Sequence, residues 1–562
     1  MKVQAHVGLV RILKAEGVEW VSLFPSSGIN TPLGDEGITN FMMRNERFGI
    51  AVADGFSRVS NRKQFGVCTV QGGLNAAGLQ YAYGALAQAY EDSTPLLCIT
   101  DGIQTPITGV KSYDITEAFR SVTKWMGYIN KPHRVPEFMT RAYTCLRSGK
   151  PGPVLLQIPR DLEEYDEDAY PYEPPKSWRS QGDPRDVEIA VRSLLAAKRP
   201  MIYAGQGIFY ADACQELLEF AELVQAPVLT TLKGKSAFPE DHALALGVKG
   251  APAERFLHGS DLILALGCSL SPGRRYGGFA HQIPDTKRSD LIPAQAGKTI
   301  IQCTIDDTAV NRYYQVDHAI LGDAQLVLHQ LIAEMTKQSG SIQRQALLEE
   351  IAAAKTTHRN KFRPFMTSND RPINPYRVYW ELMQTIDRAN SFVTHDSGST
   401  REQLATVYEA LIPHGFMGWG RVSTLGFGLG AAIGAKLAFP QRQVVHVAGD
   451  AAIGYQLGDY EALVRNRMGI TTIHINNSGF AGYGPGFWGP GRNPYVADVT
   501  ASSVLNMAQS VEALGEYAER VEDPDEVAPA LTRAFKENAA GKPAYLEIIC
   551  SKYPVSAPWL VQ

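Results

Sequence analysis

The chain has 562 residues, about three to four typical domain lengths, so two or three domains around a large buried core are expected. Hydrophobic residues at 44% and charged residues at 20% exclude general disorder, and a net charge of −4 offers nucleic acid no bulk attraction. No stretch approaches the roughly eighteen uncharged apolar residues that a membrane span needs.

From the N-terminus, MKVQAHVGLVRILKAEGVEW alternates apolar and charged residues at helical spacing, which predicts a helix over 5–16 rather than a signal-peptide core. A strand from Trp20 to Phe24 follows, then a Pro-Ser-Ser-Gly turn, the strand FGVCTV, a glycine turn, a small-residue helix and the strand PLLCIT. GPVLLQIP, near 152–159, closes this third, and the acidic, Pro-rich stretch 161–186 reads as a linker. In the middle third RPMIYAGQGI, PVLTTL, DLILALGCSL and KTIIQCTI are expected to be buried parallel strands. A second connector, polar and partly helical, is expected over 337–372. The last third alternates SFVTHDSG, a small-residue helix, QVVHVAGD, a helix, ITTIHINN and AYLEIICSK. Three α/β domains of similar size account for this alternation. The seven cysteines, at 68, 98, 145, 214, 268, 303 and 550, form no CxxC pair and sit partly in apolar runs, which implies a reducing, cytoplasmic compartment.

Ligands of open parallel sheets bind at the carboxyl ends of the strands. QVVHVAGD ends at Asp450, and ITTIHINN ends at Asn476 and Asn477, 27 residues beyond that aspartate in the case of Asn477. That interval holds one crossover helix, expected near 458–468, and a right-handed crossover brings both ends to one edge. A carboxylate, an amide oxygen and a backbone carbonyl suit Mg²⁺, with phosphate oxygens completing its shell. The small residues after Asp450 leave backbone amides free to face a phosphate. Taken singly, Asp450 also suits a helix cap and Asn477 a turn.

Gly-Asp followed at this distance by Asn resembles the cofactor and metal fingerprint of the thiamine diphosphate-dependent decarboxylases and carboligases. The resemblance extends over nearly the whole chain. RNERFGIAVADGFSR (44–58) resembles the segment of the activating glutamate, VQGGLNAAG (70–78) the glycine turn, and RVSTLGFGLGAAIGAKLAFP (421–440) the segment that opens the cofactor domain. It implies three doubly wound parallel-sheet domains: pyrimidine-binding over 1–165, central over 185–337 and diphosphate-binding over 372–562. It further implies that Asp450 and Asn477 bind the metal through side chains and Gly479 through its carbonyl. Ser399 and the amides near Ala451 and Ala452 fall where the diphosphate is held, although Ala451 stands where the family has Gly. Leu425 matches the residue that bends the cofactor, and the Ser423 carbonyl its aminopyrimidine partner. Glu46 is the expected catalytic acid–base group on the pyrimidine ring; flanked by Phe48, Ile50 and Ala51, its carboxyl is expected in a partly apolar site able to share a proton. In isolation Glu46 also reads as a surface glutamate paired with Arg44 or Arg47.

Within the family the chain resembles the branch of acetolactate synthases, oxalyl-CoA decarboxylases and 2-hydroxyacyl-CoA lyases. The implied reaction makes or breaks a C–C bond beside the carbonyl of a 2-oxo acid or 2-hydroxyacyl substrate, through the ylide of the cofactor. Lys111 stands where acetolactate synthases carry glutamine, and CSLSPGRRYGGF replaces their arginine-bearing segment. Lys111 is expected to face the substrate, where a cation holds a carboxylate, or else is a solvated loop lysine. Tyr483 and Trp488, in the glycine-rich loop 479–495, are expected to line a substrate pocket or a subunit contact. The tail KYPVSAPWLVQ reads as a lid or a packing segment, and its single Lys552 weakens a CoA-binding reading. In relatives the central domain holds ADP or FAD. The expected partners are a small-molecule substrate and further copies of the chain, as a homodimer or homotetramer, with neither nucleic acid nor membrane. Two other readings stand beside this one: a non-catalytic thiamine-binding scaffold, which an intact Glu46 opposes, and a nicotinamide oxidoreductase prompted by the GQG at 205–207.

Overall fold

The computed structural model describes residues 1–25, 27–73, 76–102, 114–271, 297–338, 342–479 and 506–551. The chain divides into two compact units, one of Met1–Trp178 with Thr424–Gln441 and Gln456–Met468, the other of Arg179–Ser423, Arg442–Tyr455 and Gly469–Gln562. Three domains each carry a six-stranded parallel sheet. The N-terminal helix forms over Ala5–Ala15 and the first core strand over Trp20–Leu23, where apolar periodicity placed them. Among the described residues no helix is long and apolar enough to cross a membrane.

In the first sheet the strands lie in the order Thr39–Met42, Trp20–Leu23, Gly66–Val70, Leu96–Gly102, Val154–Pro159, Trp125–Tyr128. The third sheet repeats that order with Phe416–Met417, Ser391–His395, Gln443–Gly449, Ile470–Asn476, Ala544–Ile549 and Tyr517–Val521. Between them in sequence, the central sheet runs Ala245–Gly247, Val228–Thr230, Pro200–Ala204, Leu262–Leu266, Thr299–Thr304, His318–Leu321, the doubly wound order of dinucleotide-binding folds. Each order reverses beside its first strand, and the crevice at the carboxyl ends there is where such sheets take ligands.

The connectors are more ordered than their polarity implies. Within 161–186, Glu164–Asp166 pairs antiparallel with Lys2–Gln4, and a helix starts at Pro184, capped by Asp183. Within 337–372 lies a 22-residue helix, Gln345–Met366, polar because only a narrow stripe including Leu347, Ile351, Ala354 and Phe362 is buried. The crossover near 458–468 is broken into Asp450–Gln456, a 3₁₀ turn over Leu457–Asp459 and Tyr460–Arg465.

The third sheet is two-faced. Val393, Val445, Val447, Ile473, Ile475, Leu546 and Ile548 project into an aliphatic core. The residues that alternate with them, including Thr394, His446, Thr472, His474, Asn476, Tyr545 and Glu547, are equally buried but polar.

Within the first unit the small-residue helix Phe427–Ala438 packs backbone to backbone on Glu46–Val59. A Cβ on Gly55 would lie 2.5 Å from Ala431 Cα, and one on Gly434 2.3 Å from the Phe56 nitrogen. Gly434→Ala is therefore expected to force the helices apart and cost about 1–3 kcal/mol. A lowered chemical-denaturation midpoint against wild type checks this, and an unchanged midpoint contradicts it.

Candidate active site

At the reversal point of the third sheet, strand Ser391–His395 ends at Asp396 and leads into the helix Ser399–Val407. The residue before that helix is Gly398, at φ +104; among the described residues nothing stands where its side chain would be, and no side chain caps the helix. First-turn amides beginning at Ser399 are therefore not closed off by a cap. The neighbouring strand Gln443–Gly449 runs directly into Asp450–Gln456, and Gly449 likewise faces open space. Ala451 is half-buried and Ala452 buried in that first turn.

Asp450 is 2% exposed. His474 Nε2 lies 3.2 Å from its Oδ1, and the Asn477 backbone N–H donates to Oδ2 at 3.2 Å. The two adjacent asparagines part company here. Asn476 points inward and donates to Glu547 Oε1 at 2.7 Å, whereas Asn477 is only half-buried and its Oδ1 accepts from the Gly479 N–H at 3.1 Å. Asp450 thus meets Asn477, the pair that the 27-residue interval pointed to, and Asn477 meets Gly479. Among the described residues no group of three or more His, Cys, Asp and Glu could hold a metal alone. One carboxylate with amide and carbonyl oxygens fits a hard cation that phosphate oxygens complete. Open space at Gly398 and Gly449 fits those phosphates.

Ser423 adopts φ +65, unusual for a side chain with a Cβ. Its hydroxyl is tied to Ser397 Oγ at 2.5 Å and to Arg401 Nη1 at 2.7 Å, which holds the backbone carbonyl in one direction. Leu425 is half-buried, and its carbonyl accepts from Arg47.

In the first unit Glu46 opens the helix Glu46–Val59, with Asn45 as its cap accepting from the Phe48 N–H at 3.1 Å. Asp459 anchors this start by accepting from the Arg44 N–H at 2.8 Å and the Asn45 amide at 3.2 Å. Burial pushes the Asp459 carboxyl up to about 6. Glu46 is 8% exposed, while Arg44 pairs with Glu461 and Arg47 reaches Leu425, so the surface-pair reading does not describe this residue. A Cβ on Gly78 would lie 2.5 Å from Glu46 Oε1, so the last glycine of VQGGLNAAG makes room for that carboxylate.

Lys111, Tyr483, Trp488 and the tail from Lys552 lie outside the described residues. The GQG at 205–207 is not a phosphate loop. Its amides are spent at the strand ends, Gly205 to the Leu266 carbonyl at 2.9 Å and Gly207 to that of Gly267 at 3.0 Å. A cavity of about 510 Å³, lined among others by Lys249, Lys355, Phe362 and Met383, includes none of the sequence-predicted site residues. His474, Tyr545 and Glu547 were not found from spacing. Only His474 carried a signal, a histidine in the strand ITTIHINN two residues before the polar strand end Asn476.

Three segments of the chain match one family: residues 4–124 its N-terminal TPP binding domain, 187–331 its central domain and 396–548 its C-terminal TPP binding domain. The chain belongs to the thiamine pyrophosphate enzymes. Thiamine pyrophosphate and thiamine diphosphate are one compound. Its relatives include a probable acetolactate synthase large subunit of Methanocaldococcus jannaschii, 29% identical over 96% of this chain and 91% of that one. The corresponding Methanococcus aeolicus protein is 27% identical over 94% and 89%, and the acetolactate synthase isozyme 3 large subunit of Escherichia coli 25% identical over 96% and 93%. The chain is thus a thiamine diphosphate-dependent enzyme of the acetolactate synthase branch.

Gly78→Ala is expected to displace the Glu46 carboxylate by about 1 Å and lower thiamine-dependent turnover roughly 100-fold, with little change in the unfolding midpoint. Steady-state kinetics beside a denaturation curve test it; full activity would mean that Glu46 has slack.

Proposed function

We propose that this enzyme is a Mg²⁺-dependent carboligase or lyase that makes or breaks a C–C bond beside the carbonyl of a 2-oxo acid, in the manner its relatives' name, acetolactate synthase, describes. The observation that carries the proposal is the buried Asp450 at a strand end with Asn477 beside it, in a chain that aligns with those relatives over 94–96% of its length. Asp450 and Asn477 bind Mg²⁺ through their side chains and Gly479 through its carbonyl. Ser399 and the amides of Ala451 and Ala452 take the diphosphate. Leu425 supports the bent cofactor, and the Ser423 carbonyl accepts from its aminopyrimidine. The cofactor supplies a carbon nucleophile that adds to a carbonyl and stores the electron pair left when the neighbouring bond breaks. Glu46 holds and returns a proton at the pyrimidine nitrogen, a task suited to a carboxyl taken out of water at a helix start.

Lys111 bears on the substrate side, where a cation in place of glutamine favours a carboxylate-bearing or anionic partner. A 2-hydroxyacyl-CoA lyase is the alternative within the same chemistry. Nothing in the reading depends on ADP or FAD in the central domain, whose GQG amides are engaged in strand-end packing. A cytoplasmic location accords with the seven free cysteines. A mass-spectrometric screen of the Mg²⁺- and cofactor-supplemented enzyme against 2-oxo acids and 2-hydroxyacyl-CoA thioesters tests the proposal. Products whose carbon count equals two 2-oxo acids minus CO₂ support the carboligase; cleavage of thioesters alone supports the lyase.

Two substitutions separate binding from proton transfer. Asp450→Ala is expected to abolish cofactor binding at ordinary Mg²⁺ concentrations, seen by calorimetry. Glu46→Gln is expected to bind cofactor while exchange of its thiazolium proton slows by about 10²–10⁴-fold, seen by proton-exchange NMR. Normal affinity in the first or normal exchange in the second would remove that residue from its role.

The active species is proposed to be a homodimer or homotetramer in which Glu46 of one subunit serves the cofactor held by Asp450 of another. The alternative is a site built within one chain. Complementation distinguishes them. Mixing inactive Glu46→Ala and Asp450→Ala chains restores activity if sites are shared, because one site of the mixed dimer is then intact. With subunit exchange verified, zero activity assigns the site to a single chain.

A further inference from the structure

A chain of hydrogen bonds runs through the buried polar face of the third sheet toward the strand end. Tyr545 Oη lies 2.7 Å from His474 Nδ1, and His474 Nε2 lies 3.2 Å from Asp450 Oδ1. Tyr545 and His474 are 0% exposed. An ionised carboxylate can only accept, so the proton of the imidazole sits on Nε2, and Nδ1 is the acceptor for the tyrosyl O–H. Both ring nitrogens are thereby engaged, and the ring cannot flip without breaking two bonds. Oδ2 of Asp450 is held from the other side by the Asn477 N–H. Each carboxylate oxygen is thereby held by a group of the protein.

The neighbouring strand provides an internal control. His446 pairs in register with Thr394, two residues before Asp396, just as His474 pairs with Ala448, two residues before Asp450. The two histidines thus stand in the same relation to the two strand-end aspartates. Yet His446 lies 3.6 Å from Asp396, and among the described residues neither of its ring nitrogens has a hydrogen-bond partner. Sheet geometry alone delivers a histidine near an aspartate. Of the two aspartates, Asp450 is the one where the described residues place a tyrosine behind the ring and a hydrogen bond in front of it.

We propose that His474 and Tyr545 are positioning residues that set the Asp450 carboxylate in the orientation in which it takes Mg²⁺, Tyr545 acting through His474. This rests on the reading of Asp450 as the metal carboxylate. Tyr545 fixes which nitrogen donates, His474 fixes the carboxylate plane, and the cation meets an oxygen that needs no reorganisation.

The test uses the full chain and measures thiamine diphosphate binding as a function of Mg²⁺, together with the unfolding midpoint of the cofactor-free protein. His474→Leu is expected to raise the Mg²⁺ concentration for half-maximal cofactor binding about 10–100-fold, and Tyr545→Phe by a smaller factor. His474→Gln, whose amide can still donate to Oδ1, is expected to fall nearer wild type. Excess Mg²⁺ is expected to restore cofactor binding in all three. If His474→Leu does not fold, Tyr545→Phe and His474→Gln, which keep most of the side-chain volume, decide the matter. Lowered midpoints with an unchanged Mg²⁺ requirement, or losses that Mg²⁺ does not rescue, would overturn the positioning role. Asp450→Ala separates the two levels: wild-type cofactor binding there defeats the metal reading itself. Lost binding there, with wild-type Mg²⁺ requirements in the other variants, defeats only the part given to His474 and Tyr545.

Discussion

A carboxylate taken almost wholly out of water, at the end of the strand Gln443–Gly449, is the constraint around which the C-terminal domain is arranged. An ionised carboxyl in such a place is costly unless hydrogen-bond donors surround it or a cation arrives. Among the described residues His474 and the Asn477 amide donate to it, from the end of the strand next to the one that Asp450 terminates. Donors on that strand can meet the carboxylate only if the pairing of Ala448 with His474 is kept, so the electrostatics of one residue govern the register of two strands. A further pair, Glu547 with Asn476 and with the Ala508 N–H, extends the same accounting across the next strand.

The first and third sheets share one strand order, and so present topologically equivalent crevices, but have filled them differently. In the third, a strand runs straight into its helix and puts Asp450 at the junction. In the first, Glu46 sits at the start of a helix that is capped by Asn45 and braced by Asp459. Each thus carries a buried carboxyl, Asp450 at a strand–helix junction and Glu46 at a helix start beside Gly78.

Much of this was legible in the sequence. Apolar runs bounded by turns located the four inner strands of each sheet but not the edge strands, such as Thr39–Met42 and Tyr517–Val521, and the interval from Asp450 to Asn477 brought together two residues that do meet. The helix Gln345–Met366 was harder to see because its buried stripe is narrow and its remaining surface reads as linker. Tyr545 was invisible for a different reason. It lies 71 residues from His474, and only the pairing of Ile470–Asn476 with Ala544–Ile549 brings hydroxyl and ring together. Local pattern finds elements and spacing finds neighbouring strand ends, but contacts between strands distant in sequence follow from the sheet order, which no local pattern specifies. The glycines of GQG show the opposite error, a phosphate-like pattern that exists because two backbones pass too close for side chains.

The two-faced character of the third sheet also bears on how the chain avoids misfolding. Successive side chains point to opposite faces, so a slip of one residue in any strand exchanges its faces. In Ile470–Asn476 such a slip would drive His474 and Asn476 into the aliphatic side and leave Ile473 and Ile475 against Tyr545 and Glu547. Every stranded polar group would cost on the order of 1–3 kcal/mol, and the errors would accumulate along the strand. Sheets that are apolar on both faces lack this discrimination, since a shifted pairing still buries hydrocarbon against hydrocarbon. The buried polar residues therefore act as alignment marks during assembly, and replacing them with well-packed aliphatic residues would trade fidelity of pairing for stability.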